Sequence, residues 1–206
     1  MRASELLDER GIAAIEAAVR SAERATSGEI VPVIVERSDA YAELRFGAAA
    51  LVAFAAGALA LLLTPELAHW LVPTQLGVFA AGAWLFGRSA LLRHLIPADV
   101  AAKRVARAAA LAFHESGLVE TRDRTGILIY LSLLEHRVIV LADRGIHARV
   151  EAGTWDAVVA RVVAGIKERR AEAGLADGIR LCGEILSQRF PSRPGDVDEL
   201  PNTPRG

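Results

Sequence analysis

The chain has 206 residues, 52% of them hydrophobic, and 24 Lys and Arg against 25 Asp and Glu give a net charge of −1. This balance, without a basic patch interleaved with aromatic residues, argues against nucleic-acid binding. The single cysteine, Cys182, excludes an intramolecular disulfide and a cysteine metal cluster, and it fits a reducing compartment. Gln188 stands where a Cys-x5-Arg phosphatase nucleophile would have its arginine, so Cys182 is expected in the core.

The N-terminal region predicts a helix followed by a strand. An apolar face recurs there at helical spacing: Ile12, Ile15, Val19 and Ala22. Gly28 is suited to end this helix, and the Val- and Ile-rich segment Glu29 to Glu36 then predicts a strand. Residues 1–43 mix acidic side chains into the helical pattern, which argues against a cleaved signal peptide.

Two uncharged stretches follow, Phe46 to Pro65 and Leu67 to Gly87, separated only by Glu66. Each is long enough for a bilayer core, which takes about 20 apolar residues in a helix. Core helices of globular proteins rarely lack a polar face over such lengths. We therefore expect a transmembrane hairpin over residues 44–93. The alternative is a pair of buried helices in a larger soluble domain.

The residues around these stretches predict their orientation. Lys and Arg lie outside both of them: Arg37, Arg45, Arg88, Arg93, Lys103, Arg104 and Arg107. The connection from Thr64 to Gln75 contains neither residue type, so the positive-inside rule places both termini and the folded domain in the cytoplasm. We expect a protein of the inner (plasma) membrane with two spans. Small residues, Ala49, Ala53 and Gly57, favour helix packing or self-association within the bilayer.

The second half of the chain predicts helix, strand, strand, helix, helix. Asp99 can cap the first of these helices and Gly117 can end it. The strands are Gly126 to Ser132 and Arg137 to Ala142, joined by Leu133 to His136. Apolar positions at helical spacing mark the last two helices: Trp155, Val158, Val159, Val162 and Ile166, then Leu175, Ile179, Cys182 and Leu186. The Pro-rich tail from Pro191 is expected to be disordered.

This order predicts an α/β (α+β) fold in which a small mixed sheet is sandwiched by helices. Because a hairpin returns the chain to the side it left, residues 1–40 and 97–190 can form one discontinuous cytoplasmic domain. The hairpin over residues 44–93 interrupts this domain, and residues 191–206 form the tail.

Several segments together resemble the TPM domain, the family of thylakoid lumen phosphatase-like proteins and nematode receptor modulators. The opening Thr26 to Val33 is similar to the family's Thr-x-Gly/Ala-Glu-Ile-Val pattern. The remaining matches follow in order: Gly126 to Ser132, Arg137 to Ile146, Trp155, and Phe190 with Pro191. The resemblance implies a TPM-like α/β/α sandwich. The inserted hairpin is a departure, since many members carry an N-terminal signal and a C-terminal anchor.

The predicted topology gathers carboxylates at one end of the sheet. The first strand runs toward the hairpin and the second runs parallel to it after a crossover, so the loop Gly117 to Thr125 is expected to be membrane-distal. Four carboxylates are expected there: Glu29, Glu120, Asp123 and Asp143. They could hold Ca²⁺ or Mg²⁺. Ligand-binding positions are expected at Arg144 and Gly145, and a phosphate could meet Arg144 with Arg122 or Arg124.

Simpler interpretations of these residues remain open. Asp143, Arg144 and Gly145 can form a tight turn, with Asp143 bonding backbone amides and Gly145 supplying a positive φ. Glu120 and Asp123 can be ordinary loop residues, and Glu29 can be a strand-start residue paired with an arginine. Thr26 fits a helix-end hydroxyl better than a nucleophile, since no His or Lys base lies near it in sequence.

Two functions follow from these observations. The favoured one is a non-catalytic module that binds or regulates a membrane protein partner, with divalent-cation binding and no organic cofactor. The alternative is a metal-dependent phosphomonoester hydrolase, as the plant relatives are described. The sequence has no Asp-x-Asp nucleophile motif, no Gly-rich phosphate loop, and no paired metal-ligating histidines among its five, so enzymatic activity is left open.

Overall fold

The computed structural model describes residues 9–121, 124–151, 153–168, 170–193, 200 and 203–205. The chain divides into two compact units. One comprises Met1–Ser38 with Ala102–Gly206 and is called the sheet unit; the other, Asp39–Ala101, is called the helical unit.

The main helices and strands follow the predicted order, with four short additions. In chain order they are α1 (Glu9–Glu23), β1 (Glu29–Val35), α2 (Ala42–Leu63), a 3-10 helix (Pro65–Trp70), α3 (Leu71–Phe86), α4 (Ser89–Leu95), α5 (Ala98–Glu115), a 3-10 turn (Leu118–Glu120), β2 (Gly126–Ser132), β3 (Arg137–Ala142), α6 (Arg144–His147), α7 (Asp156–Lys167) and α8 (Ala171–Arg189). The fold is mixed α+β and mostly helical, which confirms the predicted class.

The sheet has the strand order β1-β2-β3. Strand β1 runs parallel to β2, with Glu29 opposite Gly126, and β3 runs antiparallel to β2, with Ala142 opposite Ile127. The predicted mixed sheet is therefore confirmed, and β2 and β3 have the predicted bounds. Strand β1 ends at Val35, one residue before the predicted end.

Each face of the sheet carries its own apolar core. Alternate strand residues point to opposite faces, so one face packs against α1, α7 and α8 and the other against α5. The first core includes Ile15, Val19, Ile30, Ile34, Ile127, Ile129, Val158, Val162, Ile179, Cys182 and Leu186. The second includes Val31, Val33, Val105, Ala109, Phe113, Leu128 and Tyr130. Cys182 thus lies in the core, fully buried, as expected.

Two helix ends test the predicted capping residues. Gly117 has φ of 78°, a left-handed conformation that suits a glycine at the end of α5. Asp99 does not precede α5, because the helix already begins at Ala98 and Asp99 lies in its first turn. The predicted cap is therefore wrong, although a carboxylate in the first turn still interacts favourably with the helix dipole.

The helical unit pairs α2 with α3. Among the described helices, α2 alone is long and apolar enough to cross a membrane by length and composition. The predicted second span, Leu67 to Gly87, divides into the 3-10 helix and the 16-residue α3. Pro65 at the start of the 3-10 helix and Pro73 in the first turn of α3 stand where missing N–H groups are tolerated. Two complete membrane-spanning helices are therefore not established.

Two residues of the predicted disordered tail pair with the sheet unit. Pro191 forms a bridge with Thr26, and Arg205 forms a parallel bridge with Val33. Leu200 packs against the second core. Residues 194–199, 201–202 and 206 lie outside the described residues.

Candidate functional site at one end of the sheet

The strand register brings two predicted site residues to the same end of the sheet. Glu29 begins β1 opposite Gly126, and Asp143 follows the last residue of β3. The amide of Asp143 donates a hydrogen bond to the carbonyl of Gly126 at 2.9 Å, which fixes it beside the start of β2. Both acidic residues are largely buried, with 8% of Glu29 and 6% of Asp143 exposed.

Asp143 caps the short helix α6. Its Oδ1 accepts a hydrogen bond from the amide of Arg144 at 2.6 Å, while the amides of Ile146 and His147 donate to its carbonyl. Its buried Oδ2 has no hydrogen-bond partner among the residues that the structure describes. A buried carboxylate oxygen without a hydrogen bond is costly, so this atom is a candidate acceptor for a cation.

Among the described residues, Arg124 places a positively charged side chain near this oxygen. Its Nη1 lies 3.8 Å from Asp143 Oδ2, a charge contact longer than a hydrogen bond. Its backbone has φ of 55°, and its carbonyl accepts a hydrogen bond from the amide of Gly145. The guanidinium is about half exposed, so Arg124 is placed both to neutralise Asp143 and to reach an anion in solvent.

Backbone and hydroxyl groups form further hydrogen bonds at this end of the sheet. The amide of Glu29 donates to the carbonyl of Thr125, whose hydroxyl donates to the carbonyl of Ser27 at 2.8 Å. Thr26 Oγ1 donates to the carbonyl of Phe190 at 2.6 Å and accepts from the amide of Gly28. This hydroxyl is buried and bonded in both directions, as expected for a structural residue.

The other predicted metal ligands are not brought into the same group. Glu120 is exposed at the end of a 3-10 turn, and Asp123, like Arg122, lies outside the described residues. Within the described part of the chain, no group of three or more His, Cys, Asp or Glu side chains is placed to hold a metal ion. Glu29 and Asp143 alone supply fewer oxygens than the roughly six to eight that Ca²⁺ takes.

The segment after β3 has features of both predictions made for it, a ligand-binding site and a tight turn. Asp143 does bond a backbone amide, as a tight turn requires. Gly145 lies inside α6 instead of supplying a positive φ, so that part of the turn interpretation is wrong. Arg144 is exposed in the same turn, where an anion could reach it.

Sequence reasoning missed the roles of Glu23 and Arg205. Glu23 Oε1 accepts a hydrogen bond from the amide of Ile30 at 2.9 Å. Its position in the last turn of α1, just before β1, was the available signal. Arg205 bonds the backbone of β1, and nothing in its Pro-rich surroundings indicated such a contact.

Comparisons with known proteins show the fold alone. No family model matches the chain, and curated proteins give no significant match. Among solved structures, the chain is similar to the NMR structure of the BA42 protein from the psychrophilic bacterium Bizionia argentinensis, with 23% identity and a TM-score of 0.63. The match covers 99% of this chain and 97% of that one.

Proposed function

We propose that this protein is a membrane-anchored, TPM-like module that binds or regulates a membrane protein partner without catalysing a reaction. The observation that carries the proposal is the exterior of the helical unit. Its large apolar side chains are exposed, and its buried helix residues are mostly small.

The exposed residues surround the helix pair. They include Leu51, Phe54, Leu62, Leu63, Trp70, Leu76 and Trp84. Residues buried in α2 and α3 are instead Ala49, Ala53, Gly57 and Ala83. Water would penalise such a surface at about 25 cal/mol per Å² of apolar area, whereas lipid would not. Small residues at the contact are typical of helices that pack within a bilayer.

Length supports placing both halves of the pair in the membrane. At 1.5 Å per residue, the 22 residues of α2 extend about 33 Å. The 16 residues of α3 extend about 24 Å, and the six-residue 3-10 helix adds about 12 Å at 2.0 Å per residue. Either path is comparable with a hydrocarbon core of about 30 Å.

The arginines at one end of the pair support the orientation with both termini in the cytoplasm. The guanidinium of Arg88 lies over the ring of Trp84, 3.8 Å from its centroid. Arg45 donates from Nε to the carbonyl of Ala83 at 2.5 Å. An indole stacked under a guanidinium group is suited to the headgroup layer, where long cationic side chains keep their charge in water.

The sheet end supports a binding role more than a catalytic one. Asp143 offers a buried carboxylate oxygen to a cation and Arg124 a half-exposed guanidinium to a phosphate group, but the described residues supply no nucleophile with an adjacent base. A phosphatase remains the second candidate, favoured by Asp143 Oδ2 and the half-exposed Arg124 alone. That enzyme would hydrolyse a generic phosphomonoester in a metal-dependent way, and Asp143→Asn would abolish the activity.

Capture of a partner tests the main proposal. The affinity-tagged chain is purified from membranes in mild detergent beside a variant whose residues 46–87 are replaced by an unrelated two-span hairpin of equal length. We expect a membrane protein to copurify with the native chain and to be lost with the replaced hairpin. Equal capture by both chains would contradict docking through the hairpin.

Insertion of the helix pair is tested with a matched pair of arginine variants. Phe54→Arg places a charge near the middle of α2, where it costs about 2.5–3.5 kcal/mol if that residue faces lipid. Leu111→Arg changes a similarly exposed residue of α5 in the sheet unit. Carbonate extraction of membranes should release the first variant and retain the second. Retention of both would contradict a lipid-facing Phe54.

A further inference from the structure

The outer edge of β1 is the side of this strand that faces away from β2. In the order β1-β2-β3, the described part of the chain places no further strand at this edge, and exposed edges offer N–H and C=O groups to any extended chain. The amide of Ile30 donates to Glu23 Oε1, and Pro32 has no amide to offer. The amide of Ile34 donates to the carbonyl of Arg205 at 2.8 Å.

Arg205 occupies the edge as an added strand would. Its carbonyl accepts from Ile34 and its amide donates to the carbonyl of Pro32 at 3.1 Å, which makes a parallel bridge centred on Val33. Strand addition of this kind is a recurrent way of binding peptides, because the main chain supplies affinity and adjoining pockets supply specificity. Among the described residues of the C-terminal segment, Arg205 makes this pairing.

A cavity of about 420 Å³ adjoins the paired residue. It lies between the edge of the sheet and α5, and its lining includes Val33, Val35, Leu111, Ala112, Tyr130 and Glu115. Leu111 is 58% exposed, unlike the core residues of the same helix. The wall is mostly apolar, with the carboxylate of Glu115, the hydroxyl of Ser116 and Arg205 itself at its border, so the cavity fits an apolar side chain close to a basic one.

We propose that this groove docks an extended segment of the membrane partner, aligned parallel to β1 and carrying an apolar residue next to a basic one. This docking proposal extends the proposed function. It rests on the assignment of the sheet unit as a binding module. Arg205 holds the position of the basic residue and acts as an intramolecular competitor. A tethered segment competes at an effective concentration on the order of millimolar, so release of the tail exposes the groove.

The test releases the tail by removing one backbone donor. Arg205→Pro keeps the full chain but deletes the amide that bonds Pro32, whereas Arg205→Ala keeps that amide. The probe is a fluorescein-labelled peptide with the sequence of residues 200–206, titrated into the detergent-solubilised protein and followed by anisotropy. We expect the proline variant to bind it about tenfold more tightly than the native chain, as loss of one or two competing hydrogen bonds implies. The alanine variant should stay near the native value.

Three controls examine the groove itself. In the Arg205→Pro background, Leu111→Glu should abolish peptide binding, while Ala110→Glu, on the exposed neighbouring position outside the cavity lining, should not. A peptide N-methylated at the arginine position lacks the same donor and should bind about tenfold more weakly than the unmodified peptide. In the native chain, the Ile34 amide should exchange with solvent more slowly than in the proline variant.

Several results would overturn the proposal. Failure of the proline variant to bind the peptide would do so, as would equal binding by the Leu111→Glu and Ala110→Glu chains. Self-association of the proline variant without peptide binding would show that Arg205 merely covers the edge. Peptide binding by a chain that captures no membrane partner would contradict the proposed function and leave the groove established.

Discussion

The sheet unit and the α2–α3 pair of the helical unit differ in the side chains that they bury. In the sheet unit, branched and aromatic residues such as Ile129, Leu128 and Phe113 fill two cores, one on each face of the sheet. In the helical unit, Ala49, Ala53 and Gly57 are buried while Leu62 and Phe54 are 78% and 71% exposed. One unit is organised by removing large apolar groups from water, and the other by close approach of two helix backbones.

This contrast teaches that hydrophobicity alone does not locate a core. Both units are rich in apolar residues, but only the sheet unit has the periodicity that separates buried from exposed positions. The large exposed residues of the helical unit are the ones that the proposed lipid contact would cover.

The largest expected effect comes from truncating a leucine in each unit. Leu128→Ala leaves a cavity in a fully buried strand and should lower the free energy of unfolding by about 2–5 kcal/mol. Leu62→Ala removes an exposed side chain and should change it by less than about 0.5 kcal/mol. The effect of Leu128→Ala is measured by urea unfolding in detergent, followed by Trp155 fluorescence in a background with Trp70 and Trp84 replaced by Phe. The effect of Leu62→Ala on unfolding is followed by far-UV circular dichroism. Equal losses would remove the contrast.

A smaller effect is expected from adding a methyl group at two helix contacts. A Cβ on Gly165 of α7 would collide with the backbone of Gly174 in α8, so Gly165→Ala should cost about 1–3 kcal/mol. A Cβ on Gly57 would meet only the flexible side chain of Gln75, which can swing away. Gly57→Ala should therefore be nearly neutral or stabilising, helped by the higher helix propensity of alanine. Greater damage from Gly57→Ala, measured by thermal unfolding, would mean that the helical unit is packed as rigidly as the sheet unit.

The smallest expected effect is a pH dependence of the sheet unit. Burial raises the pKa of Tyr130, the hydrogen bond with Ser38 lowers it, and Glu135 raises it, with a net increase. The folded state then holds the phenol proton more tightly than the unfolded chain. This stabilisation is complete below about pH 10 and is lost as the pH rises through the folded pKa.

Tyr130→Phe should flatten that alkaline decline. The measurement is urea unfolding between pH 8 and about 11, followed by Trp155 fluorescence. A Cys182→Ala background is needed because burial also raises the pKa of that thiol. An unchanged pH profile in Tyr130→Phe would show that the phenol does not titrate between the two states.

Much of the sheet unit was predictable because its signals are local. The apolar runs gave the bounds of β2 and β3, and Gly117 marked the end of α5 by its left-handed backbone. The placement of Glu29 and Asp143 at the same end of the sheet was also predictable, because parallel and antiparallel pairing leave few choices for where strand ends lie. The position of Glu120 was not predictable in the same way, since it lies in a 3-10 turn outside the sheet.

The sequence alone determined the class of fold, the strand directions and the position of the apolar segment, since periodicity and turn residues encode them within short windows. Tertiary structure alone decided that Arg205 pairs with the edge of β1 and that the hydroxyl of Thr26 bonds the carbonyl of Phe190. These contacts join groups that are distant in sequence. No local pattern specifies such contacts, because their partners become neighbours only after the sheet and its helices have packed.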